Sequence, residues 1–346
     1  MIFRVLTFPI RYTFSKVKRA VGKLDLIQLE PLFAFGNSTE IYFKARVVEG
    51  YKQSVPSEKK SAARNMLAAV RRYSGSSVSD IKIRAHLGDE EVLVESDGEG
   101  IVDGYFRSGA IGESEIIRFN FVKEDDVEFQ SSEVIFPVSR FEADHPLGII
   151  SDIDDTILVS KATQVGEKLW LSISKNAYTR RPFPGISKFY KGLVNNGNNP
   201  IFYVSSSDWN LNELIKDFLN FRDIPKGPLL LQDLHINLRN IWKSGGGSHA
   251  HKGEKIEFIF NLYPQMQFIL IGDSGQHDPE LYAEAIKNHP GRVKAVYIRL
   301  IREMDEERKH LLDKYKDSIA IAYVKNTDEA IEHAEKHGFL KKTAIK

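Results

Sequence analysis

Gly148-Ile149-Ile150-Ser151-Asp152-Ile153-Asp154-Asp155-Thr156 is an apolar run that ends in three closely spaced carboxylates. A second stretch repeats the pattern over a hundred residues later: Phe268-Ile269-Leu270-Ile271-Gly272-Asp273-Ser274-Gly275-Gln276-His277-Asp278. Like charges repel, and desolvation penalises ionised groups. Several carboxylates gathered at strand ends therefore call for a cation. Carboxylates with a hard cation at the mouth of a parallel sheet make a Mg²⁺ site. Such a site points to phosphoryl transfer through an aspartate nucleophile.

Around these two stretches the chain alternates between strands and helices. Short apolar runs at 147–150, 200–204, 267–271, 295–298 and 319–323 read as strands. Helical patterns lie between or after them at 185–195, 210–220, 253–262, 279–288 and 327–337. Short strands without polar alternation, separated by helices, predict a parallel sheet covered on both faces. Crossovers in such sheets are right-handed, which gathers functional loops at the C-terminal strand ends. Both acidic clusters fall at such ends.

The first half reads differently. Alternating stretches at 39–48, 81–86 and 116–122, with further candidates at 91–94 and 134–138, predict strands. Asp97-Gly98 and Asp103-Gly104 read as turns. One helix is expected over 58–73, capped by Ser57. Several short strands joined by turns predict a β-sandwich-like unit. The expected organisation is a basic segment over 1–24, a β-rich accessory domain over 25–146, an α/β domain over 147–337 and a basic tail over 338–346.

Composition narrows the function classes. At 346 residues the chain exceeds one ordinary domain. It is 42% apolar and 27% charged, which suits a globular protein with sizeable cores. A net charge of +1 argues against a globally basic nucleic-acid binder. With no cysteine, the chain has no disulfide, zinc thiolate or cysteine nucleophile. No run approaches the roughly 18 apolar residues of a membrane span. Residues 1–24 carry no acid, and Arg4, Arg11, Lys16, Lys18, Arg19 and Lys23 alternate with apolar side chains. This segment suits peripheral contact with an anionic membrane, a targeting peptide, or plain packing on the body.

The Asp-x-Asp-x-Thr cluster after a strand, followed in order by Ser205, Lys252 and Gly-Asp-x-x-x-x-Asp, resembles the haloacid dehalogenase superfamily of phosphohydrolases. The resemblance implies a Rossmannoid α/β fold with a small flap insert. Asp152 is the candidate nucleophile and Asp154 the candidate general acid and base. The backbone carbonyl of Asp154 would join the Mg²⁺ ligands, and Thr156 would steady the loop. Ser205, at the end of its strand, would hold phosphoryl oxygens. Lys252, preferred to Lys255, would offset negative charge. Asp273 would bind Mg²⁺ directly, and Asp278 would orient a metal water or the lysine.

A narrower resemblance rests on longer strings. Gly148 to Ile157, Arg181-Pro182-Phe183-Pro184-Gly185, Tyr203-Val204-Ser205-Ser206-Ser207-Asp208-Trp209-Asn210, His251-Lys252 and Gly272-Asp273-Ser274-Gly275-Gln276-His277-Asp278-Pro279-Glu280 are similar to the actin-patch-type phosphatidate phosphatase catalytic domain. Asp208 stands where that family usually has proline, which bears on the loop's shape. The resemblance implies Mg²⁺-dependent hydrolysis of phosphatidate to diacylglycerol and phosphate. The insert from Val159 to Pro184 mixes lysines and arginines with Leu169, Trp170, Leu171 and Ile173. It suits either a lipid headgroup or an ordinary flap. His249 and His251 are expected to leave metal binding to the carboxylates. A soluble phosphomonoester, a phosphotransferase acceptor and a non-catalytic membrane-binding scaffold are the competing readings. The expected location is cytoplasmic, with peripheral membrane contact, and no nucleic acid is expected as a partner.

Overall fold

The structure, a computed structural model, describes residues 26–49, 77–107, 115–122, 129–142, 145–157, 182–232 and 248–341, without the side chains of residues 210 and 248–250. The basic segment 1–24, the helix expected over 58–73, nearly all of the insert and Gly245-Gly246-Gly247 lie outside the described residues. So do 342–346 of the tail. The chain forms two compact units, Met1–Glu142 and Ala143–Lys346.

The first unit contains β1 (Ile27–Gly36), β2 (Ile41–Glu49), β3 (Lys82–Leu87), β4 (Glu90–Glu95), β5 (Ile101–Phe106), β6 (Ile116–Phe121), β7 (Glu133–Pro137) and β8 (Ser139–Arg140). They form two four-stranded sheets, β5-β2-β1-β8 and β4-β3-β6-β7. All their pairings are antiparallel except β1 with β8. Alternation decides which face is buried. In β3, Ile83, Ala85 and Leu87 point inward while Lys82 and Arg84 are exposed. The inward residues share one core with Ile41, Phe43, Ala45 and Val47 of β2 and with Ile117 and Phe119 of β6. The Phe43 and Phe119 rings meet edge to face at 5.4 Å. Each large side chain buried in this way contributes about 1.5–3 kcal/mol.

One local expectation changes here. Asp103-Gly104 is not a turn: both residues lie inside β5, opposite Lys44 and Phe43. A Cβ on Gly104 would press into the Phe43 ring, so this glycine serves packing. The turn sits at 97–100. There Asp97 Oδ1 accepts from the N–H groups of Glu99 and Ile101 at 2.7 and 2.9 Å, and Gly100 takes a φ of 73°. Strand β1 lies outside the stretches expected as strands. Pro31 within it is accommodated at a register shift between Pro31 and Phe33.

The second unit holds a six-stranded parallel sheet in the order β11-β10-β9-β12-β13-β14. Its strands are β9 (Leu147–Ser151), β10 (Ile201–Asp208), β11 (Leu229–Gln232), β12 (Gln267–Asp273), β13 (Val293–Arg299) and β14 (Ala320–Val324). Its described helices are α1 (Ile186–Val194), α2 (Asn212–Phe221), α3 (Ser248–Leu262), α4 (Asp278–Asn288), α5 (Glu306–Asp313) and α6 (Thr327–Lys336). The described chain is therefore mixed α/β, with this parallel sheet in one unit and the β-rich sheets in the other. Consecutive residues Phe268, Ile269, Leu270 and Ile271 are all buried, so both sheet faces are covered. The chain builds outward from β9 through β10 to β11, then crosses to β12 on the other flank of β9. The order thus reverses between β9 and β12. In open α/β sheets, ligands bind in the crevice beyond the strand ends at that point. Strand β11 spans only four residues, and α5 buries only Leu312, so neither shows a clear sequence period.

Candidate active site and metal centre

Asp152 follows β9 directly, and its N–H donates to the Ile271 carbonyl of β12 at 2.8 Å. This bond locks the first acidic loop to the strand that ends in Asp273. The loop then turns sharply: Asp155 takes a φ of 57°, and the Ile157 N–H returns to the Ile153 carbonyl at 2.9 Å. Asp and Asn tolerate this left-handed geometry better than other side chains. Arg299 braces the turn from beneath. Its Nε donates to the Thr156 carbonyl at 3.2 Å, and its Nη2 donates to Thr327 at 3.1 Å.

The second acidic loop is equally constrained. Asp273 Oδ1 accepts from the N–H groups of Gly275 and Gln276 at 2.6 and 3.0 Å. Helix α4 begins with Asp278 and has Pro279 in its first turn, where the missing N–H costs nothing. Asp278 Oδ2 accepts the Asp273 N–H at 3.0 Å. A Cβ on Gly272 would overlap this carboxylate, so the close approach needs glycine.

Arg308, from α5, clamps the same loop. It donates to the carbonyls of Ser274 and Gln276 at 2.8 and 2.6 Å and forks onto both Glu280 oxygens at 2.6 and 3.0 Å. Arg308→Ala should destabilise the protein by about 1–3 kcal/mol in urea unfolding. Arg308→Lys should recover less than half of that loss, because a point charge cannot make the fork. A full rescue by lysine would show that charge alone matters.

Lys252 rises from α3 into the carboxylates. Its Nζ lies 2.9 Å from Asp152 Oδ1, 2.8 Å from Asp278 Oδ1 and 3.2 Å from Gln276 Oε1. Geometry separates it from Lys255. The Lys255 ammonium donates instead to the Leu231 carbonyl and stands over the Trp209 ring, 6.0 Å from its centroid. Trp209 is itself buried. Ser205 Oγ donates to Asp154 Oδ2 at 2.9 Å, and Ser207 Oγ donates to the same oxygen at 3.1 Å. Thr156 Oγ1 donates to Asp152 Oδ2 at 3.4 Å. Asp152, Asp154, Ser205, Lys252, Asp273 and Asp278 thus form one connected cluster.

The electrostatics follow from burial. Burial pushes the Asp152 carboxyl well above the usual carboxylate range; Lys252 counteracts this, and Asp278, Asp273 and Asp154 add to it. Burial also raises Asp154, against the hydroxyls of Ser205 and Ser207 and the charge of Lys252. Asp273 is pushed up to about 7 by burial and by the charge of Asp278. Burial opposes the Lys252 ammonium, but Asp152 and Asp278 override it and hold the group above its ordinary value.

One oxygen each from Asp152, Asp273 and Asp278 lies within 4.8 Å of the others. Every donor in the cluster is oxygen, the ligand type of a hard divalent cation. The set fits such an ion, with one qualification. Both Asp278 oxygens are engaged, one by Lys252 and one by the Asp273 N–H, which leaves Asp278 placed to position the lysine.

Gln276 is the site residue to which sequence reasoning assigned no role. Its Nε2 lies 3.2 Å from Asp152 Oδ2, 3.2 Å from the Asp154 carbonyl oxygen and 3.1 Å from Asp273 Oδ2. Ser207, whose Oγ reaches Asp154 Oδ2 at 3.1 Å, likewise carries no assigned role in the sequence reading. For both, the sequence signal is proximity to an acidic or hydroxyl residue already singled out.

Residues 147–300 match the family described as phosphatidate phosphatase APP1, catalytic domain. The phosphatidate phosphatase APP1 of Saccharomyces cerevisiae is 29% identical over 164 residues, 47% of this chain and 27% of that protein. An uncharacterized protein of Schizosaccharomyces pombe is 23% identical over 218 residues, 61% of this chain and 35% of that protein. The chain therefore spans about a third or less of the length of these relatives. A solved carbohydrate acetylesterase from Xanthomonas citri has a TM-score of 0.28 and 11% identity, covering 83% of this chain and 73% of that one. That likeness is too slight to carry an argument. Every residue of the carboxylate cluster lies inside 147–300, the segment similar to the phosphatidate phosphatase catalytic domain.

Proposed function

We propose that this protein is a Mg²⁺-dependent phosphatidate phosphatase of the haloacid dehalogenase type. The observation that carries the reading is the buried cluster itself. Asp152, Asp154, Asp273, Asp278 and Lys252 converge where β9 and β12 end side by side, inside the segment similar to a phosphatidate phosphatase catalytic domain. A carboxylate cluster fed by an ammonium and by serine hydroxyls suits phosphoryl transfer better than passive binding, because it places a nucleophile, a proton carrier and a counter-charge within reach of one phosphorus.

In this mechanism an Asp152 carboxylate oxygen attacks phosphorus. The bond from phosphorus to the glycerol oxygen breaks, and Asp154 gives its proton to that oxygen, releasing diacylglycerol. Burial favours the protonated form of Asp154 that this step requires. Asp154, now ionised, then takes a proton from water, which attacks phosphorus and breaks the bond to Asp152. Inorganic phosphate leaves, and Asp152 is restored. Ser205 and Ser207 hold the Asp154 carboxyl in place, and in this reading the Ser205 hydroxyl would turn from Asp154 to the phosphoryl oxygens when substrate binds. Lys252 offsets charge on Asp152 and on the phosphoryl group. Mg²⁺, held by Asp152, the Asp154 carbonyl and Asp273, would neutralise charge and align nucleophile and phosphoryl group.

The test is phosphate release from phosphatidate in mixed micelles and from p-nitrophenyl phosphate, each with Mg²⁺ or EDTA. Release from the lipid that depends on Mg²⁺ is the expected result. Release from the small ester alone would move the substrate to the soluble class. Silence with both substrates in Mg²⁺ would overturn the enzymatic reading.

The basic segment 1–24 would add peripheral contact with anionic lipid. Among the described residues, no helix is long and apolar enough to cross a membrane.

A further inference from the structure

Three oxygens from three different residues surround Gln276 Nε2: Asp152 Oδ2 at 3.2 Å, the Asp154 carbonyl at 3.2 Å and Asp273 Oδ2 at 3.1 Å. A primary amide carries two hydrogens. It cannot serve three acceptors fully at once, whereas a point charge can. Of the oxygens around this centre these three are the least engaged by other donors, Asp152 Oδ2 taking a long contact from Thr156 Oγ1 at 3.4 Å. Asp278 is occupied by Lys252 and the Asp273 N–H, Asp273 Oδ1 by the N–H groups of Gly275 and Gln276, and Asp152 Oδ1 by Lys252. A Mg²⁺ ion binds oxygen at about 2.0–2.1 Å. The ion and the amide nitrogen cannot share that centre.

We infer that Gln276 competes with the divalent cation for these three oxygens and thereby sets the cation affinity of the site. The inference rests on the Mg²⁺ reading given above. Without the cation, the amide donates to the converging oxygens and spreads their repulsion, while its own carbonyl accepts from Lys252 at 3.2 Å. When the cation enters, the amide leaves and the lysine keeps its two carboxylates. The backbone at Gln276 has little freedom to follow. Its N–H donates to Asp273 at 3.0 Å, and its carbonyl accepts from Arg308 at 2.6 Å. The exchange is therefore a side-chain rotation on a fixed loop, and the contacts it breaks are subtracted from the cation's binding energy.

Truncating this side chain should tighten cation binding. Isothermal titration of the full chain with MgCl₂ should give a dissociation constant roughly tenfold lower for Gln276→Ala than for wild type, the equivalent of about one net hydrogen bond. Gln276→Asn keeps an amide but is one methylene too short to reach all three oxygens, and it should shift in the same direction. It also covers the case in which the alanine variant folds poorly. In EDTA both variants should melt below wild type, and saturating Mg²⁺ should close that gap. If wild type binds Mg²⁺ and both variants bind equally or more weakly, Gln276 supports the ion and the competition is wrong. If wild type itself gives no Mg²⁺ isotherm, the Mg²⁺ reading fails first and takes this inference with it.

Discussion

Asp152→Asn is expected to reduce phosphate release from both phosphatidate and p-nitrophenyl phosphate to background, a loss of roughly 10⁴-fold or more. The amide matches the carboxylate in shape but cannot attack phosphorus. Lys252 keeps its 2.8 Å contact with Asp278, so the variant should still fold. Its stability in EDTA should match or exceed that of wild type, because burial and three neighbouring carboxylates disfavour a charge at this position. The same balance gives a pH dependence. Asp152, Asp154 and Asp273 all have carboxyls raised by folding. The folded state therefore binds more protons than the unfolded chain above pH 4, where unfolded aspartates lose theirs. Metal-free wild type should lose stability as pH rises from about 4 through the Asp273 value of about 7. Asp152→Asn should flatten that slope, and Mg²⁺ should flatten it in wild type. Residual turnover above about 1% of wild type, with the protein folded, would remove Asp152 from the nucleophile role.

Lys252→Met is expected to be the most destabilising single change in the second unit. It removes the one ammonium among the described residues within 3 Å of Asp152 and Asp278, both buried. Stranding buried carboxylates in this way costs about 3–5 kcal/mol. For a unit of this size that is a fall of roughly 6–20 °C in Tm, measured in EDTA. Saturating Mg²⁺ should restore part of it by replacing the lost positive charge. Turnover should drop by about 10²–10³-fold even when Mg²⁺ is present, since the counter-charge on the phosphoryl group is gone. Lys255→Met provides the contrast. That ammonium serves the Leu231 carbonyl beside Trp209, so its loss should cost about 1 kcal/mol and leave turnover largely intact. Equal effects at the two positions would show that the lysine in the carboxylate cluster has no special role.

The arginine clamp, the serine pair and Gln276 show where reading along the chain stops. Arg308 reaches the second acidic loop from a helix that buries only Leu312, so no apolar stripe marks α5 beforehand. Its fork onto Glu280 joins residues far apart in the chain. Gln276 stands in plain view among acidic residues, but its role depends on Asp152 and Asp154 coming from another strand. The Asp103-Gly104 pair fails for a related reason. Composition marks a turn, while the Phe43 ring across the strand explains the glycine.

What the sequence determined alone is local and periodic. Apolar runs without polar alternation became the buried parallel strands β9, β10, β12 and β13, and the expected helices between them formed as α1, α2, α3, α4 and α6. Strict alternation likewise marked β2, β3 and β6 of the first unit. These signals are legible because burial leaves its period in the residues that experience it. The tertiary structure alone decided that β12 lies against β9, that the two acidic loops therefore meet, and that one lysine rather than its neighbour enters between them. Strand neighbours are chosen by how crossover helices pack, and the convergence of side chains is a property of distance in space. Neither leaves a period in the chain, which is why the carboxylates could be singled out in advance while Gln276, the amide at their common centre, could not.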